Sequence, residues 1–110
     1  MQSVTSNAVA KYLNTIQTWS KDGVILYKIG RFVYGLFSYM TSGSSPIFIT
    51  TVPYKPVADV RIALINNGLD CVSGQFIIYA KDGSVRLWKD GGGSFDKHGY
   101  NNSFMYIAQL

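Results

Sequence analysis

Glutamate is absent from the 110 residues, and histidine and cysteine occur once each, as His98 and Cys71. These scarcities exclude a good deal of chemistry. A structural zinc site draws on several Cys or His ligands, which one of each cannot supply. An internal disulfide needs a second cysteine, and Cys71 reads most simply as a small buried hydrophobe. A hydrolytic nucleophile needs an oriented base, and His98 lies in a stretch that reads as a flexible loop, a poor platform for a triad. Without glutamate, a paired-carboxylate site would have to come from six aspartates. Three of them, Asp22, Asp82 and Asp90, recur in the tripeptide Lys-Asp-Gly, where aspartate accepts local backbone hydrogen bonds and suits a turn. Asp59, Asp70 and Asp96 remain, and nothing in their spacing brings two together. Gly91-Gly92-Gly93-Ser94 lacks the following Lys-Ser/Thr and helix of a phosphate loop. No apolar run approaches the ~18 residues of a membrane helix, and no signal peptide is visible at Met1. The expectation is a soluble domain that is not an enzyme, with no metal and no cofactor.

A hydrophobic fraction of 47%, with 15% aromatic, excludes a disordered chain. The length suits one domain. The net charge of +4 could suggest nucleic acid, but the ten Lys and Arg residues form no run, and phosphate binding needs clustered contacts. No nucleic-acid partner is expected. Eight tyrosines and two tryptophans exceed what a small core requires, and aromatic side chains with polar tips serve both protein interfaces and sugar-binding surfaces.

Gln75 to Trp88 organises the rest. Two apolar runs flank Asp82-Gly83, a dipeptide suited to a two-residue type I′ turn, which predicts a hairpin pairing Lys81 with Ser84 and Ile77 with Trp88. One face is then Phe76, Ile78, Ala80, Val85 and Leu87, and the other holds Tyr79, Arg86 and Trp88. Upstream, Ser3 to Ile16 is the one helix candidate, with Val9, Tyr12 or Leu13, and Ile16 at helical spacing. Its stripe is narrow, so it must pack on the β domain or on copies of itself.

Trp19 to Gly23 reads as a turn, Val24 to Lys28 as a strand, and Arg31 to Thr41 as the longest strand. Phe32, Tyr34, Leu36 and Met40 point one way along it, while Val33, Phe37 and Tyr39 point the other. A strand apolar on both faces lies centrally in a sandwich or against a partner subunit. Gly35 within it suggests a bulge or a close backbone approach. Ile47 to Val52 and Val57 to Ile65 are further strands, and Leu69 to Gly74 is irregular. Gly91 to Ser103 is the longest polar loop, carrying His98, Tyr100, Asn101 and Asn102. Ser103 to Leu110 closes the sheet, with Phe104, Tyr106, Ala108 and Leu110 on one side. Short strands separated by turns predict an antiparallel β sandwich or barrel. The candidate ligand-binding residues are Tyr79, Arg86, Trp88, His98, Tyr100, Asn101 and Asn102.

The opening SVTSNAVAKYLN resembles a segment of bacteriophage and prophage tail fibres and receptor-binding proteins, through Val4, Thr5, Ser6, Ala8 and Val9. Val52-Pro53-Tyr54-Lys55-Pro56 is similar to that family's L-P-x-G-Y-x-P segment with the glycine absent, and Ile77 to Leu87 resembles its D-G-[ST]-V hairpin through Asp82, Gly83, Ser84 and Val85. The resemblance implies a C-terminal tip domain: a mainly β, antiparallel sandwich with a short N-terminal helix, assembled as a homotrimer. It would comprise a helical neck over residues 1–19 and a tip over 20–110, with Met1 inside a longer fibre. Val9, Tyr12, Leu13 and Ile16 would meet on the threefold axis, and Phe37 and Tyr39 would join the trimer interface. The implied partner is a glycan or protein of the bacterial surface, and the implied location is the virion. Two rival readings are a purely structural trimerisation or capping module of a fibre and a monomeric carbohydrate-binding module.

Overall fold

Residue-by-residue alternation of buried and exposed side chains runs through β3, as a half-buried strand requires. The computed structural model describes residues 15–66, 71–95 and 98–110. They form β1 (Gln17–Lys21), β2 (Val24–Ile29), β3 (Phe32–Thr41), β4 (Ile47–Thr51), β5 (Val60–Ile65), β6 (Cys71–Ile78), β7 (Ser84–Lys89) and β8 (His98–Ile107). Two four-stranded sheets result, ordered β1-β2-β3-β8 and β4-β7-β6-β5, with every pairing antiparallel. The antiparallel sandwich is therefore the architecture. No helix occurs among the described residues, and the expected helix lies outside them except for Thr15 and Ile16, which lead directly into β1. Residues 17–19, assigned to the neck, belong to that strand, and Trp19 packs against the core.

The inner faces meet through Val24, Leu26, Val33 and Phe37 from one sheet and Phe76, Ile78, Val85 and Leu87 from the other, all buried. Each such side chain contributes roughly 1.5–3 kcal/mol on leaving water. Phe76 wedges between Phe37 and Phe104, with ring centroids 4.8 and 4.9 Å away. Phe104 lies over Gly35, where a Cβ would collide with its ring; the glycine marks a close approach, as its place in a strand suggests. The Tyr106 hydroxyl, half-sunk in the same layer, donates to the Tyr54 carbonyl at 2.7 Å. Burial pushes the Tyr106 phenol above its ordinary pKa.

The turns differ from expectation in an instructive way. Asp22 and Gly23 both have positive φ, 52° and 84°, and join β1 to β2 with Lys21 opposite Val24, so the type I′ geometry belongs to the first Lys-Asp-Gly. At the second, only Gly83 has positive φ. Tyr79 N–H donates to Ser84 O at 3.0 Å and Gly83 N–H to Tyr79 O at 2.8 Å, closing a four-residue loop over residues 80–83. Ile78 pairs with Val85, Ile77 with Arg86 and Gln75 with Trp88, two residues from the expected register. A slip of two preserves the faces, because side chains alternate with period two. Asp82 Oδ1 accepts from Ser84 N–H at 2.9 Å, and that hydrogen bond holds its carboxyl below the usual pKa.

Two strands begin earlier than expected. β6 starts at Cys71, within the stretch read as irregular, and β8 starts at His98, within the stretch read as a polar loop. β8 is drawn out by β3, which pairs with it from Phe32–Ile107 to Thr41–His98. Leu110 is fully exposed beyond β8 and does not join Phe104, Tyr106 and Ala108 inside.

Candidate functional site

Because strand positions alternate, the second sheet turns one set of side chains away from the core. Its register puts Phe48, Arg86, Ile77 and Arg61 in one outward row across β4, β7, β6 and β5. Trp88, opposite Gln75, and Tyr79, opposite Ser84, flank that row from either side. The two rings lean toward each other, and the Trp88 indole Nε1 donates to the Tyr79 hydroxyl at 3.0 Å. Ile77 lies between them and is only 1% exposed despite standing on the outer face. An aromatic bridge over an aliphatic floor is the result.

Two guanidinium groups border the bridge. Arg61 lies 5.9 Å from the Tyr79 ring centroid and 3.6 Å from the Asp59 carboxylate. Arg86 lies 5.2 Å from the centroid of Phe48. Asp59 also accepts the Ala80 N–H at 2.8 Å, tying the β6–β7 loop to β5. Beside the bridge a groove of about 410 Å³ is lined by Arg61, Gln75, Trp88, Lys89 and Asp90, with Gly91 and Gly92 at its end. It offers a ring face for stacking, guanidinium donors, and amide and carboxylate groups within one concavity. No cluster of three or more His, Cys, Asp or Glu occurs among the described residues.

The residues proposed from sequence separate into three places. Tyr79, Arg86 and Trp88 share this face. Tyr100 is 1% exposed and packs edge-on against Phe95, 5.6 Å away, inside the sandwich; with its β8 segment drawn into the sheet, the ring turns inward. His98 opens β8 opposite Thr41, and Asn101 stands on the outer face of the first sheet opposite Ser38. Asn102 turns toward β5, its Nδ2 donating to the Ala63 carbonyl at 2.7 Å. Asn102 Oδ1 is buried and has no hydrogen-bond partner among the described residues.

Of the residues assigned to a trimer interface, Phe37 is 2% exposed in the core, and Tyr39 is half-buried and stacked on it at 6.1 Å. Both face the second sheet, and the exposed side of β3 is the one bearing Phe32, Tyr34, Leu36 and Met40. Ile16 is exposed just ahead of β1, while Val9, Tyr12 and Leu13 lie outside the described residues.

Arg61, Gln75, Phe48 and Asp90 join the site without having been singled out. The alternation of Val57 to Ile65 separates Arg61 from Val60, Ile62 and Leu64, which is a usable signal. Phe48 has none, because it reaches the site only through the nonlocal pairing of β4 with β7. The chain matches no protein-family model, and no curated protein matches it in sequence.

Proposed function

We propose that this chain is the tip domain of a bacteriophage tail fibre or receptor-binding protein, and that it binds a saccharide receptor on the bacterial surface without catalysing a reaction. Its place of action is the virion, outside the host cell, and its assembled form is a homotrimer. The observation that carries the reading is the Trp88–Tyr79 bridge over Ile77, bordered by Arg61 and Arg86. A sugar ring lays its C–H face on such aromatics while its hydroxyls take hydrogen bonds from the flanking polar groups. The ordered sequence resemblance supports the phage assignment. Three identical sites give avidity, so that individually weak binding becomes tight on a surface that repeats its receptor.

The test is adsorption to candidate host cells and binding to an array of bacterial glycans, comparing the wild-type protein with Trp88→Ala. The variant is expected to lose at least tenfold in apparent affinity, about 1.4 kcal/mol, at unchanged solution mass. If it binds as well as the wild type, the groove is not the receptor site. If the wild type binds no bacterial surface, the purely structural module is the better reading.

A further inference from the structure

The first sheet turns a second set of side chains outward, and its register spells them out. Successive rows are Ile29–Phe32–Ile107, then Thr18–Tyr27–Tyr34–Met105, then Ser20–Ile25–Leu36–Ser103, then Ser38–Asn101, and last Met40–Gly99. None of these positions is charged, although the chain carries ten Lys and Arg and six Asp residues. Met105 is 62% and Phe32 45% exposed. Soluble monomers seldom present a contiguous apolar patch beyond a few hundred Å². Five, six, ten and ten residues in β1, β2, β3 and β8, each taking ~3.4 Å along its strand and ~4.8 Å across, give a face of roughly 500 Å². Two such faces in contact cover on the order of 1,000 Å², at the lower limit of a specific interface.

The face also carries relief. Tyr27 and Tyr34, stacked with centroids 6.5 Å apart, form a ridge with Phe32 and Met105 at one end. Between that ridge and Met40 at the far end, 67% exposed, the side chains shorten to Ser38, Asn101 and Ser103, flooring a hollow of about 520 Å³ walled by Ile25, Leu36 and, from β5, Ile65. An uncharged ridge and an uncharged hollow on one surface complement each other between copies.

We propose that this outer face of β1-β2-β3-β8 is where copies of this chain meet, the ridge of one copy seated in the hollow of the next. The inference rests on the homotrimeric reading above and gives it an interface. A ridge-to-hollow contact is heterologous, so it repeats head to tail and closes into a ring when the rotation permits, as in a threefold assembly. It leaves the Trp88 face of the second sheet outward on every copy.

The experiment is light scattering coupled to size exclusion on the full chain, with Met105→Lys on the ridge and Ser103→Trp in the hollow. The wild type is expected near three times 12.2 kDa, and each variant near 12.2 kDa with an unchanged β circular dichroism spectrum. A readout that needs no variant is peroxide oxidation of wild-type Met105, followed by mass spectrometry across a dilution series. Protection at high concentration that disappears on dilution supports the interface. Full assembly by both variants, or Met105 oxidised at the same rate throughout, overturns this interface while the trimer stands. A wild-type monomer at every concentration overturns both, and points to Met1–Asn14 of the same chain as what lies on the face.

Discussion

Replacing Phe76 by alanine should cost more stability than any exposed aromatic in the chain. The ring is completely buried, 4.8 Å from Phe37 and 4.9 Å from Phe104, with Leu87 and Ile62 as its cross-strand neighbours. Truncating a buried phenylalanine costs about 3–5 kcal/mol, the lost transfer energy plus the cavity left behind. Neighbours from four strands fix the cavity walls, so relaxation recovers little. A domain of this size is stable by about 5–15 kcal/mol, so the variant should keep its fold but melt about 15–30 °C lower. The assay is urea unfolding followed by tryptophan fluorescence at one fixed protein concentration, since self-association adds a mass-action term. Phe48→Ala is the control. That ring is half-exposed on the outer face, and its loss should change stability by at most about 1 kcal/mol. A Phe76→Ala loss below about 1.5 kcal/mol at unchanged m-value would refute the idea that this ring locks the two sheets together.

Two further outcomes test the turns and the second aromatic layer. Gly23→Ala should cost about 1–3 kcal/mol, because φ is 84° and the new Cβ meets the Ser38 carbonyl, whereas Gly91→Ala at φ 77° has open space and should cost about 1 kcal/mol; thermal melts of the pair decide it. The Tyr106 phenol is raised above its ordinary value of 10, chiefly by burial, so the folded state keeps it neutral after the unfolded chain has ionised it. Its contribution is therefore complete below pH 10 and is lost as pH rises above that, and urea midpoints for Tyr106→Phe should fall less steeply across this range than those of the wild type.

The hairpin shows what one chain of letters carries. Its faces were legible because period-two alternation survives a slip of two residues; its register was not, because Asp-Gly suits more than one turn. The three Lys-Asp-Gly copies make the point: the first is a two-residue turn, the second closes a four-residue loop, and the third begins a run of three glycines at positive φ. What separates them is the pairing of the flanking strands, which local sequence does not contain. The polar composition of Gly91 to Ser103 read as a loop for the same reason. β3 offers a long edge, and β8 extends along it to His98, carrying Tyr100 into the core.

The alternation of β3 was legible too, but which of its two apolar faces pointed inward was not. Both read as buriable, and only the partner sheet chooses between them. Val33, Gly35 and Phe37 face inward, where the glycine admits the Phe104 ring. That choice leaves Phe32, Tyr34 and Leu36 facing out. Charge then distinguishes the two outer surfaces of the sandwich. Among the described residues, the lysines and arginines that look scattered along the chain avoid the first sheet's outer face. Lys28 lies over the Tyr54 ring at 5.2 Å, Arg31 Nε donates to the Ala108 carbonyl at 2.8 Å, and Arg61 and Arg86 border the Trp88 bridge. Burying an unpaired cation between copies would be costly, whereas a guanidinium beside a wet groove remains available to a ligand. Among the described residues the sandwich therefore has one uncharged outer face and, opposite it, an aromatic outer face bordered by two guanidinium groups.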